Sequence, residues 1–310
     1  MFRKFLSKLG VGSAKVNLVL QNPQVRLGEE IVGGFFIEGG SVEQQINKLD
    51  VDLRLSVNIN SQVHTETVAT IPVSSSFVIQ PREKKTLSFS YRLPMELPVS
   101  REGITYTFVT RLDIAGGVDT LDHDVIQVLA PFPLEKIFYA FNKLGFREKA
   151  SSGKLTKYGQ QFSLFPTEQL KEAIQEVEVI SFIEREGIRL YLEVDVYAGF
   201  PSLKEKELKK EVFFSNEDLA NPEILTAKLL AAIKDIIEHP QLYAGASPHF
   251  STLPHHSGHE LRGTVGGLAA GMFAGLLVGE LIEDAFEATE DAFGLGEETG
   301  GIFDLFEDGE

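Results

Sequence analysis

The sequence predicts an all-β protein of two tandem β-sandwich domains, with short helices and a Gly-rich, acidic C-terminal tail. Three observations predict it. Apolar and polar residues alternate in run after run, as half-buried strands require. The runs are short and broken by Gly, Pro and Asn turn signals, the spacing of a sandwich. After about residue 240 the alternation stops and the composition turns to Gly, then to Asp and Glu. The expected divisions are a basic amphipathic helix at 1–12, a first sandwich at 13–130, a second sandwich closed by a helix at 134–240, and a flexible His/Gly-rich and acidic tail at 241–310.

The N-terminal helix rests on Phe2, Phe5, Leu6 and Leu9, which recur at helical spacing, with Arg3, Lys4 and Lys8 elsewhere on the wheel. Such a stripe packs on the protein itself, or touches a membrane surface or a partner. The first strand carries Val16, Leu18 and Leu20, and Asn22-Pro23 breaks it. A Gly28-Glu29-Glu30 corner follows, and then Ile31, Gly33, Phe35 and Ile37 alternate. The clearest half-buried strand in the chain is Leu49, Val51, Leu53, Leu55, Val57 and Ile59, interleaved with polar residues. Residues 63–71 supply its hairpin partner.

Leu87, Phe89, Tyr91 and Leu93 make the next strand. Pro94 and Pro98 then forbid regular pairing and force an extended crossover. Ile104 to Ile114 and Val125 to Leu129 close the domain.

In the second half, residues 134–144 read as a helix linking the domains. Strands are expected at 161–165, 176–184, 188–196 and 208–214. Asn221-Pro222-Glu223 combines an N-cap, a first-turn Pro and an early carboxylate. It opens an amphipathic helix that His239-Pro240 ends.

In the tail, Gly263, Gly267, Gly271, Gly275 and Gly279 recur every four residues within a segment free of charge. A stripe without Cβ atoms lets another backbone approach closely, so these glycines are candidates for self-association. Each Gly costs a water-exposed helix about 0.8–1.0 kcal/mol against Ala. The segment is therefore disordered, paired with its own copy, or inserted in lipid.

Composition narrows the function. There is no Cys, which removes disulfides, thiol nucleophiles and Cys-ligated metals and fits a reducing, cytoplasmic setting. No export signal is visible at the N-terminus. Net charge is −16, and residues 263–310 hold twelve carboxylates with no Lys or Arg. An acidic chain without a basic stripe argues against nucleic acid as a partner. Neither a nucleophile elbow nor a phosphate-binding Gly-rich loop occurs, so no cofactor and no catalytic residue is expected.

Two clusters are candidate metal sites. Asp122, His123 and Asp124, with Asp119 nearby, combine carboxylates and imidazole on what reads as one turn. The plainer reading is an acidic hairpin tip whose carboxylates cap backbone amides. His255, His256 and His259, with His249, form a loose His tract. The plainer reading there is a solvated linker. A metal-dependent hydrolase is the enzymatic reading these clusters would support.

The order of the strand motifs resembles the bacterial sporulation-control proteins with an arrestin-like fold. The likeness starts at Gly10-Val-Gly-Ser-Ala-Lys-Val-Asn-Leu-Val-Leu20. It runs through the corner Leu27-Gly28-Glu29-Glu30-Ile31-Val32-Gly33-Gly34, where Leu27 stands at a place arrestins often fill with Pro. Leu93-Pro94 and Leu97-Pro98-Val99-Ser100 resemble the arrestin crossover. Tyr106 to Ile114, Val125 to Val128 and Glu176 to Asp195 extend the likeness, which covers about residues 10–240.

The resemblance implies two arrestin-like β-sandwich domains and a non-enzymatic scaffold or adaptor that binds cytosolic proteins and controls entry into sporulation. The competing expectation is a membrane-associated adaptor, in peripheral contact through the N-terminal helix and the Gly-rich segment. Homo-oligomerisation through that segment is a further expectation.

Overall fold

The computed structural model describes residues 12–59, 61–156, 158–197 and 206–244. The expected contact helix with Phe2, Phe5, Leu6 and Leu9 lies outside these residues. So do the tract with His255, His256 and His259 and the glycines Gly263, Gly267, Gly271, Gly275 and Gly279.

The protein is mostly β, as expected, with three sheets among the described residues. In the first unit β1 (Lys15–Leu20), β3 (Glu30–Glu38) and β7 (Lys84–Arg92) form a three-stranded antiparallel sheet in the order β1-β3-β7. Facing it is a six-stranded sheet built on β4 (Gln44–Ile59). Here β2 (Gln24–Arg26), β9 (Thr120–Leu129), β8 (Ile104–Ile114), β4 and β5 (Gln62–Ser74) follow in order, and β6 (Phe77–Ile79) also pairs with β4. All pairs are antiparallel except β2 with β9.

Alternation explains the sandwich. Leu49, Val51, Leu53, Leu55 and Val57 all turn inward from β4 and are buried. Within the small sheet Phe35 meets Phe89 edge to face at a centroid distance of 5.4 Å, and Phe89 meets Phe108 of the large sheet edge to face at 5.3 Å.

The Gly28 corner and the proline crossover form one structure. Gly28 has φ +79°, a conformation that Gly adopts without the steric cost of a Cβ. Its N–H donates to the Leu93 carbonyl at 3.0 Å, and the Leu93 N–H donates to the Glu29 carbonyl at 3.0 Å. A Cβ on Gly28 would lie 2.3 Å from Met95 Sδ.

Farther along the crossover, the buried Tyr106 hydroxyl donates to the Pro98 carbonyl at 2.7 Å. Ser100 pairs with β9 in both directions: its N–H donates to the Val128 carbonyl at 2.8 Å, and its Oγ accepts from the Val128 N–H at 2.9 Å. Side chains thus supply the pairing that the two prolines deny the backbone.

The second unit is built on a six-stranded antiparallel sheet. It contains β10 (Phe146–Glu148), β11 (Lys154–Thr156), β12 (Gly159–Pro166), β13 (Ile174–Glu184), β14 (Gly187–Val196) and β15 (Lys206–Ser215). Its order is β10-β12-β13-β14-β15, with β11 beside β12. The helical closure is larger than the single helix expected. It comprises α1 (Phe132–Lys143), α2 (Asn216–Ala220) and α3 (Pro222–Glu238), with a short α4 (Pro240–Tyr243) after them.

Asn221 caps α3 as its sequence requires, its Oδ1 accepting from the N–H groups of Glu223 and Ile224. A reciprocal capping box between Ser215 and Asp218 starts α2. Ile137 and Phe141 of α1 and Leu229, Ile233 and Ile236 of α3 are fully buried. They share one apolar cluster with Val177, Leu190 and Val194 of the sheet. The helix expected at 134–144 therefore also contributes to a core.

The crossover also joins the two units. The side-chain amide of Gln160 on β12 accepts from the Val99 N–H at 2.8 Å and donates to the Val99 carbonyl at 3.0 Å, imitating a strand partner. Arg101 lies over the Phe162 ring at 5.4 Å and pairs with Glu148 at 3.3 Å.

Tyr106→Phe leaves the Pro98 carbonyl without its donor inside the protein. The expected cost is about 1–3 kcal/mol. It should appear in urea denaturation as a lower midpoint with an unchanged m-value.

Candidate interaction surfaces

A sheet edge carries unpaired backbone donors and acceptors, so it is where an arrestin-type sandwich can take up a partner strand. The edges of this molecule differ in how they are closed. The outer edge of β1 is capped by side chains from β9: Leu18 N–H donates to Asp122 Oδ2 at 2.7 Å, and Thr120 Oγ1 donates to the Ala14 carbonyl at 2.8 Å. Edge strand β7 carries Lys84, Lys85 and Arg92, charges that discourage pairing. Edge strand β15 carries Lys209, Lys210 and Glu211, and a bridge from Leu208 to Ala244 covers part of it.

The edge strand β5 has none of these devices along most of its length. It runs for 13 residues beside β4 alone, and Glu66 is its one Asp, Glu, Lys or Arg. Val63, Thr65 and Thr67 stand outward on one face, and Val63 is 67% exposed. A register shift at Leu53/Arg54 places a bulge at Val68, which bends the strand. Pro72 falls near its end, where it interrupts pairing least.

A second concave feature lies between α1 and the start of α3. It encloses about 490 Å³, and Phe132, Phe138, Tyr139 and Leu225 line it. Its charged lining residues are Glu135 and Lys136, on one turn of α1. This is an apolar groove without a convergent set of polar groups of the kind that orients a substrate.

Asp122, His123 and Asp124 are placed differently from the expected turn. They lie within β9, whereas the turn before it contains Gly116 and Gly117. Strand alternation sends His123 to the face opposite Asp122 and Asp124. Asp122 is engaged with the Leu18 amide, and Asp119 Oδ1 accepts from the Ile114 N–H at 3.3 Å. These contacts match the amide-capping role.

Asp124 keeps one buried oxygen without a hydrogen-bond partner. Burial, with the neighbouring Asp122 adding to it, raises its pKa to about 6. The unfolded chain releases this proton near the ordinary carboxylate value of about 3.9. Between those values the folded state holds the proton more tightly, so Asp124 lowers stability as pH rises from about 4 to about 6.

Sequence reading passed over β5 as a docking edge because alternation shows which face is buried, not which strand is last in a sheet. The usable signal was its scarcity of charge.

Residues 2–198 match the model of the family described as "SpoOM protein". The "Sporulation-control protein spo0M" of Bacillus subtilis (strain 168) is 31% identical over 206 residues, which span 63% of this chain and 80% of that relative. The crystal structure of Spo0M, sporulation control protein, from Bacillus subtilis matches with a TM-score of 0.61 at 28% identity. That match covers 73% of this chain and 99% of the other.

Asp124→Asn should raise the melting temperature relative to the parent above pH 6, and the gain should vanish below pH 4. Thermal melts across that range check it; a gain independent of pH would refute the assignment.

Proposed function

The chain belongs to the SpoOM sporulation-control family, and from that premise we propose that it is a non-enzymatic regulator acting as an arrestin-like scaffold for cytosolic proteins. The observation that carries the mechanism is the open edge of β5. A partner segment that is extended and rich in β-branched residues would add to it as a further strand. Backbone hydrogen bonds would supply affinity, and alternate side chains against Val63, Thr65 and Thr67 would supply selection.

The closed edges support this choice. Side chains cap the outer edge of β1, and charged side chains stand along β7 and β15, so of the long edge strands described β5 is the one left open to strand addition. Among the described residues no helix is long and apolar enough to cross a membrane. A cytoplasmic site of action accords with the absence of Cys.

The triple variant V63K/T65K/T67K places charge along the open edge at exposed positions. Each substitution should change stability by less than about 0.5 kcal/mol. Affinity capture with the tagged full chain from its own cells, followed by partner identification, should lose specific partners in the variant. Equal capture by parent and variant would remove the edge mechanism.

A further inference from the structure

The outer face of the second sheet sets like charges side by side. Strand register places Glu176 on β13 opposite Asp195 on β14, and Asp195 opposite Glu207 on β15. The next row holds Glu178, Glu193 and Lys209. Cross-strand carboxylates in direct opposition destabilise a sheet unless something answers their charge.

The β13 pair is answered within the protein. Lys149 binds Glu176, while Gln161 and Ser163 donate to Glu178. The other three carboxylates converge: Glu193, Asp195 and Glu207 each direct an oxygen to within 4.8 Å of the others.

Glu193 gives the independent sign of a ligand. Its side chain is 7% exposed, and its Oε2 is buried with no hydrogen-bond partner. Lys209 faces the group with its Nζ 3.7 Å from both Glu193 Oε2 and Glu207 Oε2. Those separations exceed hydrogen-bonding distance. An ionised carboxylate is costly to bury unless it is paired or coordinates a metal ion.

We propose that Glu193, Asp195 and Glu207 form a binding site for a hard divalent cation of the Ca²⁺ class. The donor set is all oxygen, which suits Ca²⁺ and lacks the nitrogen and sulfur that zinc favours. Ca²⁺ holds oxygens at about 2.3–2.6 Å, so ligands on opposite sides of the ion stand up to about 5 Å apart. The observed spacing falls within that limit. Binding would turn the opposed carboxylates of β14 and β15 into ligands of a shared ion. Exposed Glu207 leaves an approach from solvent.

The test is calorimetric titration of the chelator-treated full chain with CaCl₂ at neutral pH, paired with thermal melts. Saturable binding with a raised melting temperature is expected. Affinity should fall at least about tenfold in E207Q and in D195N. E193Q should also lose binding yet melt above the parent in chelator, because a neutral amide replaces a buried carboxyl.

No saturable heat up to about 1 mM Ca²⁺, the weak end of protein calcium sites, would overturn the proposal. So would parental binding that all three variants leave intact, which would place the ion on other carboxylates such as those of residues 263–310. Binding by K209Q but not by the parent would likewise overturn it, because Lys209 would then be the resident cation.

Discussion

The proline crossover from Leu93 to Arg101 is the constraint on which the rest of the molecule depends. Pro94 and Pro98 have no N–H to give, so this segment cannot pair as a strand. Its remaining groups are met one by one: Leu93 by the Gly28–Glu29 corner, Pro98 by Tyr106, Val99 by Gln160, Ser100 by Val128. Those partners are the corner that leads into β3 of the small sheet, strands β8 and β9 of the large sheet, and β12 of the second unit. One irregular stretch therefore fixes how the small sheet sits on the large one and where the second unit attaches. A regular strand there could have paired with at most two neighbours.

The same economy governs the edges. A sandwich of separate sheets leaves several strands half-paired, and each is a hazard unless closed. Here β9 closes β1 with Thr120 and Asp122 side chains, and Lys and Arg guard β7. Asp122 shows why residue type alone misleads. A carboxylate beside a histidine suggests a metal ligand, yet on a strand the two point apart, and the carboxylate is occupied by an amide across the gap between sheets. With that edge closed and β5 left uncharged for most of its length, the asymmetry between edges becomes the basis for a binding role.

Much of the fold was legible because alternation and punctuation are local. The inward run of β4, the Gly28 corner, the Asn221 cap and the strands of the second half all follow from residues near one another in sequence. What was not legible depends on partners distant in sequence. Residues 134–144 show helical periodicity, but nothing in them says that Ile137 and Phe141 enter a core shared with α3. Tyr106 reads as one more strand residue until Pro98 is brought under its hydroxyl. The carboxylate row needs the register of β14 against β15, and the nine or so residues that join them are too many to set a register as a tight turn does.

Strand β12 brings the junction and the charged face together within two residues. Gln160 points with Phe162 toward the crossover and holds Val99, while Gln161 points to the opposite face and holds Glu178. Glu178 in turn stands opposite Glu193. Charge on the outer face and attachment of the first unit are thus met by neighbouring side chains on one short strand. The backbone of β12 cannot shift its register for one without shifting it for the other, because a one-residue slip exchanges its two faces. A sheet that carried this many opposed carboxylates at random would be free to slip and relieve them. This one is held in register by the amide of Gln160 and by the apolar side chains of Phe162 and Leu164, so its charges are met where they stand, as Lys149 meets Glu176 and Gln161 meets Glu178.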